Sequence, residues 1–454
     1  KNPVFSTYND CMKRNFWLKT QKIFMIGIGG IRMSGLAHFL VSLGFTVSGS
    51  DLVANAQTAR LEREGVRVMI GHSGANVGDA QKVVVNSAIP QDNPELAEAR
   101  RRRIPVYGRA ELLSLVAGCF AHTAGIAGCH GKTTATAMCA HVLDHCTGSC
   151  SAHIGGEDLG FGNFYLGGEN YFVTEACEYK GNFLHLHPEI AVILNTDADH
   201  LDCYGDEQRL AEAYRAYARN AREVIACGED KIARELDCLT FGLSDQCDVS
   251  AGNIRSAGGK YSFIPIVRGE SFERIRLNVY GKHNIYNALA ALSVAYRFGF
   301  PVPIAAQGLA KFCGIRRRFE LLGTRGGAQY IADYAHHPRE ILSALQTAKE
   351  VCSGRLFVVF QPHTYSRTKL LFDDFVRVLS KPENLVVYKT YAAREFFDEE
   401  GSAATLAQAL PNSLYIDDLH QLQLYLDCSV RSGDTVLFLG AGDIYFIAQR
   451  ILSM

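Results

Sequence analysis

The chain has 454 residues, of which 48% are hydrophobic and 20% charged, and its formal net charge is -1. This near-neutral balance gives no electrostatic case for nucleic acid or an anionic membrane as the main partner, so any phosphate must be held by local sites. A single core rarely grows past ~250–300 residues, which predicts two or three domains. The opening stretch KNPVFSTYNDCMKRNFWLKTQK lacks the apolar core of a signal peptide. No apolar run approaches the ~20 residues needed to cross a bilayer. The fourteen cysteines are spread along the chain without a C-x-x-C pair. They read as reduced and mostly structural, and the expected location is the cytoplasm.

Short β-rich runs alternate with helical patterns throughout, which predicts an α/β fold with parallel sheets and crossover helices. The pattern restarts three times. The first restart is KIFMIGIGG, followed by a helix from about Ser34 and by the strands FTVSGSD, RVMIG and KVVVNSAI. IPVYGRAELLSLVA closes this unit, with a boundary near residues 117–123. Gly27 and Gly29 fit the G-x-G-x-x-G phosphate fingerprint, but its third glycine is replaced by Arg32. The arginine either sets a cation beside a diphosphate or turns outward from the first helical turn; the outward reading is favoured.

The second restart, HTAGIAGCHGKTTATAMCAHVL, runs a small-residue strand into a glycine turn and then a helix. GCHGKTT fails the strict G-x-x-x-x-G-K-[ST] spacing because position 126 is isoleucine. Its chemistry survives. Gly128 and Gly131 let backbone N–H groups curl around an anion, and the helix from Lys132 points its positive end there. Lys132 suits the β/γ-phosphates, and the Thr133 hydroxyl suits Mg²⁺. Glu175 and Glu178 follow the strand YFVTEACE, where carboxylates can face a metal–nucleotide. NTDADHLD puts Asn195, Asp197, Asp199, His200 and Asp202 at the end of EIAVIL. The carboxyl ends of parallel strands are where ligands sit, so these three strand ends predict an ATP·Mg²⁺ crevice. The unit continues to YGKHNIYNALAALSVAYRFG.

The third restart follows KFCGIRRRFELLG, with strands QYIADYA, RLFVVFQPH, NLVVYKTY and DTVLFLGAG. ADYAHHPRE supplies Asp333, Tyr334, His336, His337 and Arg339; QPHTYSRTK supplies His363, Tyr365, Arg367 and Lys369. The adjacent histidines point in different directions, and no Cys or Glu completes a zinc spacing. Arg367 with His363 suits a carboxylate, which guanidinium grips as a fork.

GIGGIRMSG…SGSD, GCHGKTT, EACEY, NTDADHLD, YGKHNIYNALAA, RRRFE, DYAHHP, QPHTYSRTK and YAARE occur in this order from about Lys22 to the C-terminus. Together they resemble the bacterial Mur ligases. The resemblance implies a Rossmann-like UDP-sugar domain over 1–118, a central P-loop-type ATPase domain with a mostly parallel sheet over 119–314, and a Rossmann-like amino-acid domain over 315–454. It implies a ligase that joins L-alanine to the lactyl carboxylate of UDP-N-acetylmuramate through an acyl phosphate, with ATP and Mg²⁺ (Mn²⁺ as a substitute), as a monomer or homodimer.

By the same resemblance, ATP meets Gly128, His130, Gly131, Lys132, Thr133, Thr134, His283, Asn284, Asn287, Arg318 and Asp333. Thr133, Glu175 and His200 hold metal. Gly27, Gly29, Gly30, Ser50, Asp51, His72 and Ser87 line the UDP-sugar site. Tyr334, His336, His363 and Arg367 form the amino-acid pocket, and Lys132, Glu175, His200, His363 and Arg367 carry catalysis. Relatives usually have glycine at position 32, threonine at 129 and an acidic residue at 332, where this chain has Arg32, Cys129 and Ala332. Three other readings stay open: a recycling ligase adding a preformed peptide to the same UDP-sugar, an inactive UDP-sugar-binding relative, and a nicotinamide oxidoreductase suggested by GIGGIR and Asp51 alone. HTYSRT and the compact length favour a free amino acid over a peptide.

Overall fold

The computed structural model describes residues 22–197, 201–393 and 395–453. Its α/β architecture rests on three sheets, as the alternation of patterns predicts. The first contains β1 (Lys22–Ile26), β2 (Thr46–Asp51), β3 (Arg67–Ile70), β4 (Lys82–Val85) and β5 (Val106–Gly108), all parallel in the order β3-β2-β1-β4-β5. KIFMI becomes the central strand because all but its first residue are buried, between helices on both faces. The helices used below are α1 (Ile31–Ser42), α2 (Ala56–Arg63), α3 (Pro94–Arg101) and α4 (Arg109–Ala117). The first starts at Ile31 rather than near Ser34, so Arg32 lies inside its first turn.

The second sheet has a parallel centre of β6 (His122–Ala127), β9 (Tyr171–Glu175), β10 (Ile190–Ile193) and β11 (Glu223–Cys227). β7 (Cys150–Asp158) pairs parallel with β9 and antiparallel with β8 (Gly162–Leu166). On the other side come β12 (Leu239–Gly242), β13 (Val249–Ala257), β14 (Lys260–Val267), β15 (Glu270–Ser271) and β16 (Ile275–Tyr280), giving eleven strands. Helix α5 (Lys132–Thr147) follows β6 directly, and α6 (His283–Arg297) follows β16.

The third sheet orders β17 (Glu320–Arg325), β18 (Ala328–Asp333), β19 (Leu356–Phe360), β20 (Asn384–Tyr388), β21 (Ser413–Ile416) and β22 (Thr435–Leu439) as β17-β18-β22-β19-β20-β21. Only the β17–β18 pairing is antiparallel. Two apolar clusters cover its two faces, with Val358, Phe360 and Leu437 on one and Val359, Val386 and Phe438 on the other. Helices α7 (Pro338–Val351) and α8 (Tyr365–Leu370) begin just beyond β18 and β19.

By compactness the chain forms two units. The first runs through Asn253 and adds Phe263–Ile275 and Ile285–Cys313; the second takes Ile254–Ser262, Arg276–Asn284 and the chain from Gly314 onward. The first sheet thus shares a unit with most of the second, including β6 to β12, and α1 packs on β7 and β8. Asn163 donates to the Ile31 carbonyl (2.7 Å) and the Ser34 hydroxyl (2.9 Å), and His153 Nε2 lies 3.0 Å from the Arg32 carbonyl. Both partners contributed by the second sheet are buried at 1% exposure, so this seam is core rather than a wet contact.

Candidate active site

In the first unit, the loop GCHGKTT joins β6 to α5. Asn195 clamps it from the end of β10: its side chain accepts from the His130 N–H (2.9 Å) and donates to the His130 carbonyl (3.0 Å). Gly131 has φ +82, and a Cβ there would sit 2.7 Å from Asn287 Oδ1, so the turn needs glycine. Thr133 and Thr134 occupy the first turn of α5, where backbone N–H groups are open to an anion. The Lys132 ammonium folds back on the Gly128 and Cys129 carbonyls and pairs with Glu178 at 2.9 Å. Burial opposes its charge, but Glu178 and Cys177 more than reverse that and hold its pKa above the ordinary lysine value. Cys129 packs beneath the loop with its thiol on the Asp197 carbonyl at 2.8 Å.

Glu175 ends β9 and is 2% exposed. Its carboxylate accepts from the Gly155 N–H (3.0 Å) and the Arg32 guanidinium (2.7 Å), and the Thr133 hydroxyl favours its ionised form. Burial alone would raise its pKa; Arg32, Thr133 and Lys132 together hold it below the usual glutamate value. Gly155 makes this geometry possible, since any Cβ there would collide with the Glu175 carboxylate. Arg32 therefore does not turn outward. It reaches the second sheet, with a further contact to Cys177 Sγ at 3.4 Å. The favoured reading from sequence is corrected here: α1 begins three residues early and aims this side chain across the seam.

Thr133, Glu175 and Glu178 thus lie together at the loop. His200, expected with them, and Asp199 fall outside the described residues. Among the described residues no three His, Cys, Asp or Glu side chains are grouped around a metal position. The hydroxyl and carboxylates present are hard oxygen donors, which suit Mg²⁺ held partly by phosphate.

At the first sheet, the Gly29 N–H donates to Asp51 (2.9 Å), and Gly27 and Ile28 N–H donate to the Ser50 carbonyl at 2.8 and 3.0 Å. Gly30 forms the N-cap of α1. Ser50 and His72 converge on Glu95, whose Oε2 accepts from the Ser50 hydroxyl at 2.7 Å and lies 2.8 Å from His72 Nδ1. Glu95, in α3, is fully buried and also accepts from Asn76 at 2.7 Å. Sequence reasoning missed it; NPELAEARR reads only as a capped helix start. Ser87 is exposed, with its carbonyl facing Lys180.

In the second unit, Asp333 ends β18 and accepts from the Phe319 N–H (2.8 Å) and the Ala335 N–H (2.7 Å). It braces the turn that carries Arg318, and burial raises its pKa. Arg317 and Arg318 lie over the Tyr334 ring at 4.9 and 5.2 Å. His283 Nδ1 is 3.2 Å from Ser343 Oγ, and Asn284 donates to the Tyr280 carbonyl at 2.7 Å.

The expected amino-acid residues come together around His336. Its ring lies 5.3 Å from Tyr334 and 5.9 Å from His363. Arg367 Nη1 lies 3.4 Å from His363 Nδ1, and Tyr391 stacks on His363 at 5.6 Å. Burial, with His336 and Arg367 beside it, pushes His363 down to about 4; burial also lowers His336. Both rings are neutral at pH 7, and Arg367 is the cation beside His363, while Arg318 acts on His336 from the Tyr334 side. His337 turns away and caps α7, as adjacent histidines must.

Three family models match in order: the Mur ligase family catalytic domain over residues 22–120, the Mur ligase middle domain over 126–295, and the Mur ligase glutamate ligase domain over 317–442. The chain is 38% identical over 450 residues to a UDP-N-acetylmuramate–L-alanine ligase of Acetivibrio thermocellus, covering 96% of both chains. It is 40% identical over 446 residues to the same-named protein of Clostridium novyi, covering 95% of this chain and 97% of that one. Among solved structures, the UDP-N-acetylmuramate-alanine ligase of Thermotoga maritima aligns with TM-score 0.84 and 30% identity over 95% of this chain and 98% of that one. A murein peptide ligase of Psychrobacter arcticus shares the fold with TM-score 0.73 at 23% identity, over 95% and 98% of the two chains. With all three family models matched in order and this identity sustained along its length, the chain belongs to the Mur ligase family.

Proposed function

We propose that this chain joins L-alanine to the lactyl carboxylate of UDP-N-acetylmuramate, with ATP as the driving reactant, in peptidoglycan precursor synthesis. The observation that carries this is the 38–40% identity, over at least 95% of the chain, to proteins named for that reaction. A carboxylate is a poor acylating agent. One of its oxygens attacks the γ-phosphorus as the β–γ bridging bond breaks, giving acyl phosphate and ADP. The amine nitrogen of L-alanine then attacks the acyl carbon, inorganic phosphate leaves, and the nitrogen loses its proton. The nicotinamide reading accounts for neither Lys132 nor its acidic neighbours.

The residues take roles on that scheme. Lys132, with the α5 N-terminus, neutralises the transferred phosphoryl group, and Gly128, His130, Gly131, Thr133, Thr134 and Asn287 shape the ATP loop. His283, Asn284, Arg318 and Asp333 keep the nucleotide contacts that the family resemblance gives them. Mg²⁺ fits Thr133 and Glu175, with His200 as the further expected ligand, and supplies charge neutralisation between phosphate and carboxylate; Mn²⁺ is the expected substitute. Gly27, Gly29, Gly30, Ser50, Asp51, His72 and Ser87 take the UDP-sugar. Arg367, flanked by neutral His336 and His363, takes the alanine carboxylate, with Tyr334 beside them. The proposed domain limits are residues 118 and 314. The proposed compartment is the cytoplasm, which suits the free thiols of the described cysteines. Among the described residues, no helix is long and apolar enough to cross a membrane. Monomer and homodimer both satisfy this scheme.

The test is ADP release with UDP-N-acetylmuramate, ATP and Mg²⁺ in the presence of L-alanine, glycine, serine or murein tripeptide. Turnover with L-alanine is expected. Turnover with the tripeptide alone makes the chain a recycling ligase, and binding of the UDP-sugar without ADP release makes it an inactive relative.

A further inference from the structure

Arg109 opens α4, is 7% exposed, and has no hydrogen-bond or ion-pair partner among the described residues. Three effects work against a cation there. Burial strips its water, which is unfavourable for an unpaired ion. Its place in the first helical turn sets it against the positive end of the helix dipole. Arg32, on a helix of the same sheet, repels it. Glu175 and Cys177 attract it, but the Glu175 carboxylate is already shared among Arg32, Thr133 and the Gly155 N–H. Burial and Arg32 pull its pKa down to about 10, so it stays charged at neutral pH. A guanidinium that keeps its proton and has no hydrogen-bonded carboxylate among the described residues is placed to receive an anion that arrives from outside.

Its place says which anion. Arg109 follows the carboxyl end of β5, on the ligand edge of the first sheet, where Ser50 and Asp51 end β2. Its electrostatic neighbours, Glu175 and Cys177, lie at the carboxyl end of β9 in the second sheet. Arg109 therefore stands between the sugar-nucleotide edge and the phosphoryl-transfer loop, where the reacting end of the sugar must reach.

We propose that Arg109 is the receptor for the lactyl carboxylate of UDP-N-acetylmuramate and positions it for phosphorylation. This rests on the reaction proposed above. A guanidinium N–H on one carboxylate oxygen leaves the other free to attack the γ-phosphorus, and the substrate's charge supplies the counter-ion that the fold withholds.

Calorimetric titration of the wild type, Arg109→Met and Arg109→Lys with two ligands tests this. The ligands are UDP-N-acetylmuramate and UDP-N-acetylglucosamine, which carries the same diphosphate without the lactyl carboxylate. Arg109→Met is expected to weaken UDP-N-acetylmuramate by about 30-fold, ~2 kcal/mol, and to leave UDP-N-acetylglucosamine within about twofold, a selectivity that loss of structure alone does not produce. Arg109→Lys, which keeps the charge without the fork, falls between them and carries the comparison if the methionine variant does not fold. Equal weakening of both ligands places the diphosphate on Arg109 and overturns the proposal, as does unchanged binding of both. A wild type that binds neither ligand overturns the ligase reading itself.

Discussion

Arg32 and Glu175 stand 143 positions apart in the sequence and 2.7 Å apart in the fold, joining the glycine loop of the first sheet to the carboxylate at the end of β9. The arginine side chain is 31% exposed and the glutamate 1%, so the pair lies at the mouth of a buried site. Burial and attraction are opposed at Glu175, and attraction wins because Arg32, the Thr133 hydroxyl and Lys132 all favour the ionised form. Arg32→Gly is expected to destabilise the ligand-free protein by about 1–3 kcal/mol, below the full penalty for breaking a buried pair because two other groups still hold Glu175. Urea unfolding followed by circular dichroism checks this; an unchanged midpoint at unchanged slope shows the pair to be inert.

Gly155 supplies the space that Glu175 fills. Gly155→Ala forces the carboxylate out of its place and removes it from Thr133, so ADP release is expected to fall by at least about 100-fold, the scale of losing one positioned charge at a phosphoryl-transfer site. Binding of the UDP-sugar, read by calorimetry, should change far less. Wild-type turnover in this variant shows that the contact is tolerated.

Glu95 holds Ser50 and His72 by one carboxylate oxygen. Glu95→Gln keeps the shape but sets an amide where the Ser50 hydroxyl and the imidazole meet an acceptor. The Kd for UDP-N-acetylmuramate is expected to rise about tenfold, ~1.4 kcal/mol, with the KM for ATP unchanged. A rise in both constants points instead to general loosening of the first unit.

His153 is 1% exposed, and burial pushes it down to about 4. The unfolded chain takes up a proton there near pH 6.5 and the folded chain does not, so stability is fully present above the unfolded pKa and is lost as pH falls from about 6.5 toward 4. The loss amounts to at most about 3 kcal/mol. Comparing urea midpoints at pH 7 and pH 5 for the wild type and His153→Gln measures it; the variant should lose this part of the pH dependence.

Arg367 is the cation beside two neutral imidazoles, His336 and His363. Arg367→Lys keeps the charge but loses the planar fork, and the KM for L-alanine should rise about 10- to 100-fold, ~1.4–2.8 kcal/mol, while that for the UDP-sugar holds. A matching rise in both would detach Arg367 from the amino acid.

The parallel centre of each sheet was legible because KIFMI, EIAVIL and TVLFL are unbroken apolar runs that end in glycine or polar turns. The hairpin β7–β8 and the outer strands β13 to β16 were not. CSAHIGGED has small and polar residues where a strand signal needs branched ones, and VSAGNIRSA is half exposed, so neither carries a clean period of two. Loop chemistry at Lys132 and Thr133 could be read from local spacing. What Arg32, Glu95 and Arg109 touch could not, since their neighbours come from distant strands and are set by how the first two sheets pack. The alternation that marked three restarts says nothing of that seam. The outward reading of Arg32 failed for that reason, since its partner Glu175 comes from the second sheet.

The Lys132–Glu178 contact makes the free loop an internal zwitterion. Its ammonium is already neutralised by a carboxylate that is itself fully buried. A bare anion entering the loop competes with Glu178 for the lysine. A ligand that brings charge of both signs leaves neither side stranded. On charge grounds the loop is expected to hold a nucleotide accompanied by a cation better than bare sulfate or inorganic phosphate, because the accompanying cation takes the place of the ammonium.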